Sequence, residues 1–206
     1  MDLSGLTVVA GLLSVGIGFG LQNTASNFIS GLILLFERPI KVGDWITVGE
    51  VSGDVREINL RSTTVITPDN ISIIVPNSEF VSGRVVNWSH GERKIRVHIP
   101  VGVAYGSDVE LVTRVLLEEA ERHSGVMRTP APKVWFTGFG DSSLNFELLA
   151  WIPEPTARPQ VISDLNYAID SAFRRNNVEI PFPQRDVHVR SGELPRLRTE
   201  RGAEDG

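Results

Sequence analysis

From Leu3 to Phe36 the chain runs 34 residues without an Asp, Glu, Lys, Arg or His. Water-soluble domains rarely leave so long a stretch uncharged, whereas a bilayer core takes about 20 apolar residues of helix at roughly 1.5 Å each. Leu3–Leu21 meets that requirement with about 28 Å, and the whole run would reach about 51 Å if straight, against a core of roughly 30 Å. The run therefore has to bend. The polar cluster Gln22, Asn23, Thr24, Ser26 and Asn27 marks the place. The pattern predicts one spanning helix, a break near Gln22–Asn23, and a shorter second helix ending at Pro39.

The glycines narrow the kind of membrane helix. At about 100° per residue, Gly11, Ser14 and Gly18 fall on one side, and Gly16 and Gly20 on another. Leu12, Val15 and Phe19 lie between them, with Gln22 at the edge, while Ala10, Leu13, Ile17 and Leu21 form an apolar back. Small residues let helices approach closely in lipid, where packing drives association. A dimer needs one such face. Two faces flanking a third describe either a helix with a neighbour on each side, as in a ring, or a lipid-facing anchor whose glycines are incidental. A signal peptide fits poorly, because only Met1 and Asp2 precede the run and no small-residue cleavage pattern follows it. A dinucleotide-binding reading of Gly16-Ile-Gly18-Phe-Gly20 fails as well, since the third glycine of that fingerprint would stand at Leu21.

The remainder divides into two soluble parts and a tail. Pro39 and Val42-Gly43-Asp44 end the second helix. From Trp45 to Trp88 short β-runs alternate with turn signals: Trp45–Val48, Val51–Val55, Asn59–Ile66, Ile71–Val75 and Gly83–Trp88. That density of strands predicts a small closed or nearly closed barrel. After Ser89–Glu92 the rhythm changes. Arg93–Val101 reads as a strand, Asp108 caps a helix reaching His123, and Lys133–Phe139 and Asn145–Trp151 are strands. Arg158–Asn176 carries Val161, Leu165, Ala168, Ile169, Ala172 and Phe173 at helical spacing, and Val178–Ile180 follows as a last strand. The order β-α-β-β-α-β is that of a ferredoxin-like sandwich. Val187-His188-Val189 forms one more short run, and residues 191–206 have the composition of a disordered tail.

Composition removes several function classes. A net charge of −5 argues against a nucleic-acid partner, which would need a basic stripe. The absence of cysteine excludes disulfides and Cys-based metal sites. His90, His98, His123 and His188 are scattered without metal-ligand spacing, and no nucleophile elbow or phosphate-binding loop is present. No cofactor and no enzymatic activity are expected. Glu118, Glu119, Glu121 and Arg122 read as a solvated helix face, and Glu37, Arg38 and Lys41 as headgroup-level anchors.

Taken together, several motifs carry a resemblance. They are Gly18-Phe-Gly20-Leu-Gln22-Asn-Thr-Ala-Ser-Asn27, Arg38-Pro39 with Val42-Gly43-Asp44, Gly53-Asp-Val-Arg-Glu-Ile-Asn-Leu-Arg61-Ser-Thr-Thr64, Ile74-Val-Pro-Asn77, Gly102-Val-Ala-Tyr105-Gly-Ser-Asp108 and Phe182-Pro183-Gln184. From about Gly5 to Arg190 the chain resembles the pore helix and cytoplasmic portion of the small-conductance mechanosensitive channel family. The resemblance implies a tension-gated channel that releases ions and small solutes on hypoosmotic shock. It implies a homoheptamer in the inner membrane with its C-terminal domains cytoplasmic. The expected division is a kinked pore and interfacial helix (1–38), an Sm-like β domain (39–91), a ferredoxin-like α/β domain (92–182), and a strand (183–190) that builds an intersubunit barrel. By position it makes Val15 and Phe19 the pore constriction, Gly11, Ser14, Gly16 and Gly18 the helix-packing residues, and Gln22 and Asn23 the kink. Asn27 and Asn77 match positions of contact between helix and β domain, and Asn23 stands where the family has a glycine. Because members carry at least two further membrane helices upstream, the chain is expected to be a fragment of a longer protein. The alternative is a non-conducting, membrane-anchored scaffold or ligand-sensing cage.

Overall fold

A computed structural model describes residues 3–185, with side-chain surroundings from residue 8 onward. Helix α1 (Leu3–Glu37) is one unbroken element of 35 residues. The expected break into two helices at Gln22–Asn23 is absent, for a local reason. Residues 22–27 include no proline or glycine, and one of their polar side chains turns back onto the helix: Asn27 Nδ2 donates to the Asn23 carbonyl at 2.9 Å. Such back-bonding replaces solvation without opening the ladder. The helix ends where Arg38 takes a left-handed φ of 52°. Its N–H still reaches the Leu34 carbonyl at 3.1 Å, while the following Pro39 excludes a further helical residue.

The first soluble unit is an antiparallel sheet of β1 (Trp45–Val48), β2 (Val51–Ile58), β3 (Ser62–Ile66), β4 (Ser72–Pro76) and β5 (Val85–Asn87), in the order β4-β3-β2-β1-β5. Gly49, at φ 55°, makes the tight β1–β2 hairpin. Among the described residues β4 and β5 do not pair, so hydrogen bonding does not close the sheet. Between these two edges the chain forms α2 (Asn77–Ser82), a short helix that the strand pattern did not reveal. One face of the sheet carries the apolar core: Ile46, Val48, Val55, Val65 and Val75 pack with Phe80 of α2. Leu34 and Ile40, from the end of α1 and just beyond it, complete the same core.

The second unit holds β6 (Ile95–Val103), α3 (Val109–Arg122), β7 (Lys133–Phe139), β8 (Leu144–Ile152) and α4 (Arg158–Arg175). Its sheet is antiparallel in the order β6-β8-β7. Asp108 caps α3 by accepting from the Glu110 and Leu111 N–H groups at 2.9 and 3.1 Å. Val112 and Leu116 of α3, and Leu165 and Phe173 of α4, bury against Val97, Ile99, Phe146 and Leu148 of the sheet. Val178–Ile180 forms no strand. Its one backbone bond toward β6 runs from the Ala104 N–H to the Glu179 carbonyl at 2.8 Å, before Pro181 and Pro183 remove the donors a ladder would need. The expected strand Val187–Val189 and the tail lie outside the described residues.

Leu34 is 1 % exposed although it belongs to a helix that is bare from Val8 to Ser26. Leu34→Ala should cost about 2–5 kcal/mol of β-domain stability. Differential scanning calorimetry in detergent checks this as an earlier β-domain transition with the α/β transition unchanged.

Candidate functional site: an apolar helix seated on the β domain

Along α1 every residue from Val8 to Ser26 is exposed. Val15 is 58 % and Phe19 74 % exposed, and a Cβ added at Gly11, Gly16 or Gly18 would meet no atom of the chain. The segment Val8–Glu37 has a mean hydropathy of 1.4 across its most apolar window, none of it buried. A continuous apolar surface of this size is not stable in water, so lipid or further copies of the helix have to cover it. Within one copy the structure brings Val15 and Phe19 to no partner. Gln22 and Asn23 are likewise exposed.

The last third of α1 is different. Asn27 is half-buried and its Oδ1 accepts the Ser78 N–H of α2 at 3.0 Å. The neighbouring Asn77 is fully buried and points into the β domain. Its Nδ2 donates to the Asn59 carbonyl at 2.8 Å, its Oδ1 accepts from the Thr63 hydroxyl at 2.9 Å, and its N–H reaches the Arg61 carbonyl at 3.1 Å. One side chain thus ties the start of α2 to the β2–β3 turn, while Asn27 ties α1 to the start of α2. The helix dipole of a six-residue element adds little here; the hydrogen bonds carry the junction.

Between these contacts lies a residue that sequence reasoning missed. A Cβ at Gly31 would collide with the Leu60 carbonyl and stand 2.6 Å from Asn77 Nδ2. Only a glycine lets α1 come this close to the turn. Its signal was available: Asn27, Ser30, Gly31 and Leu34 repeat at helical spacing, the two small residues falling between a polar and an apolar anchor. Ser30 is 6 % exposed, and no group of His, Asp and Glu among the described residues is arranged to hold a metal ion.

The comparisons with known proteins agree with this arrangement. The mechanosensitive ion channel β-domain model matches residues 23–90, and the mechanosensitive ion channel MscS C-terminal model matches residues 97–180. The chain belongs to the MscS family. The mechanosensitive channel MscK of Escherichia coli K12 is 46 % identical over 181 residues, which cover 88 % of this chain and 16 % of that protein. The small-conductance mechanosensitive channel of Edwardsiella ictaluri is 36 % identical over 85 % of this chain and 60 % of its own length. Among solved structures, Helicobacter pylori MscS in its closed state superposes with a TM-score of 0.86 at 26 % identity, covering 93 % of this chain and 76 % of that one. The MscS-like fold here combines one candidate membrane helix with β-rich domains. The chain spans only a small part of its longest relatives, 17 % of an MscS family protein of Haemophilus influenzae being matched.

In this MscS-family chain the Asn77 side chain has no spare partner to lose. Asn77→Leu leaves the Asn59 carbonyl and the buried Thr63 hydroxyl unmatched, at about 1–3 kcal/mol for each group. Thermal unfolding in detergent should show that loss. Asn27→Ala, which frees a single N–H nearer the surface, should cost about 1 kcal/mol or less.

Proposed function

We propose that this chain is the pore-forming and vestibule portion of a mechanosensitive channel that opens under membrane tension and passes ions and small solutes on hypoosmotic shock. The observation that carries the reading is α1 itself. It is uncharged from Leu3 to Phe36, exposed from Val8 to Ser26, and edged by two small-residue faces, and it is seated by Asn27, Gly31 and Leu34 on a domain of the MscS β type. Seven copies in an inner membrane, with the domains after Pro39 in the cytoplasm, would give each helix a neighbour on either side. Gly11, Ser14, Gly16 and Gly18 then supply the close packing, and Val15 and Phe19 face the axis. Rings of large apolar side chains shut a pore by dewetting, without physical occlusion.

The domain boundaries follow the same reading: 1–38 for the pore and interfacial helix, 39–91 for an Sm-like β domain, and 92–182 for a ferredoxin-like α/β domain. The order β6-β8-β7 supports the last of these, with Glu179 lying beside the end of β6, on the side where a fourth strand would pair. Residues 183–190 would add the strand of an intersubunit barrel, since a three-residue strand needs identical partners to satisfy its edges.

Patch recording of the full-length protein tests the pore. Phe19→Ser should hydrate the constriction and lower the tension threshold, and Gly18→Leu should block close packing and abolish or delay opening. A threshold unmoved by Phe19→Ser, with no conductance from the parent protein, would favour the non-conducting cage. Native mass spectrometry in detergent tests the ring. A heptamer is expected, and deletion from Asp186 onward should weaken it while leaving the α/β domain folded.

A further inference from the structure

Where the β domain meets the α/β domain, a cavity of about 440 Å³ takes its walls from both units. On the β side, Trp45 stands opposite Asp54 and Thr47 opposite Ser52 in the β1–β2 register, so the four side chains share one sheet face, the one turned away from the Ile46–Val55 core. Trp88 joins them through its N–H, which donates to the Trp45 carbonyl at 2.9 Å. Its indole is pinned as well, with Nε1 donating to the Thr47 hydroxyl at 3.1 Å and that hydroxyl bonded to Ser52 at 2.9 Å. From the α/β side come Pro155, Pro159 and Arg158 at the start of α4. The walls are therefore stiff: two indoles in a fixed register and two prolines.

The charges lining this cavity are not spent on each other. Neither Asp54 nor Arg158 forms an ion pair or a side-chain hydrogen bond with any described residue. A carboxylate, a guanidinium and two indoles around one small space make a specific demand. An anion would meet Arg158 but also Asp54, and a simple cation would meet Asp54 but also Arg158. Indoles favour a cation, and most strongly an ammonium whose own hydration is weak. We propose that this cavity binds a small zwitterion bearing an ammonium and a carboxylate, of the betaine or α-amino-acid class. Trp45, Trp88 and Asp54 hold the ammonium, and Arg158 holds the carboxylate. The ligand bridges the two soluble units and favours their packed arrangement by mass action.

Isothermal titration calorimetry of the full chain in detergent, with glycine betaine as the probe, tests the assignment without requiring a conducting pore. Saturable binding is expected. Asp54→Asn and Arg158→Gln should each weaken it about tenfold, the effect of losing one charge-assisted contact. Choline, which lacks the carboxylate, and propionate, which lacks the ammonium, should bind at least about tenfold more weakly than glycine betaine. Both substituted residues are exposed, so the ligand-free unfolding temperature of the variants should match the parent. Glycine betaine should raise that temperature in the parent and not in the double variant. Absence of saturable betaine binding overturns the proposal. So does choline binding as tightly as betaine, or betaine binding unaltered in both single variants.

Discussion

The approach of α1 to the β2–β3 turn at Gly31 is the constraint on which the rest of the molecule depends. A helix unsuited to water for most of its length is fixed by its last turns into the core of a domain well suited to it. No side chain fits between the helix and the Leu60 carbonyl, so the two elements meet backbone to backbone. Leu34 then enters the β core one turn later, and Ile40 enters it after the left-handed Arg38 has reversed the chain. The apolar contacts supply the gross stabilisation. The asparagine contacts supply register, because a shift of one residue along α1 would move Asn27 away from Ser78 and bring Cβ-bearing neighbours against Leu60.

Such a junction transmits displacement rather than absorbing it. Protein cores are packed like organic crystals and do not deform continuously. A movement of α1 along its axis therefore has two outcomes: the β domain follows, or the seat at Gly31 is vacated and the buried Asn77 network is exposed to water. The second outcome strands polar groups now fully matched, since no described buried side-chain polar atom lacks a partner. The two states differ by hydrogen bonds as well as by apolar area, which makes the junction a discrete element rather than a spring.

Legibility in the sequence followed the range of the interactions. The apolar helix, the Asp108 cap and the buried stripe of α4 are written in spacings of a few residues, and each is present as those spacings imply. The expected but absent helix break follows from length alone, since no residue of the Gln22–Asn27 cluster demands a bend; Asn27, disruptive in a list, bonds back to its own helix. The missing strand at Val178–Ile180 has its cause in the prolines that follow, which leave it a single ladder bond. The α2 helix and the seat at Gly31 depend on contacts between residues far apart in the chain, such as Asn27 with Ser78, and a single sequence does not display them. The pairing of Trp45 with Asp54 belongs to the same class, since strand register had to be known before the two could be placed on one face.

The α/β unit shows the opposite economy from the helix. Helices cover one face of its three-stranded sheet, and the other face shields itself. Arg96 lies 5.9 Å from the ring centroids of both Trp135 and Trp151, a bridge of guanidinium over two indoles that spans all three strands. Beside it, His98 Nδ1 and the Glu147 carboxylate lie 3.0 Å apart. Leu149, flanked by His98 and Lys133 in the register, is 2 % exposed and stands outside the core that the helices cover. Long amphipathic side chains here do the covering that a second layer of helices does elsewhere. By contrast, α1 cannot exist in water without a cover. That need for lipid or for further copies sits in an element that the β domain holds by its end.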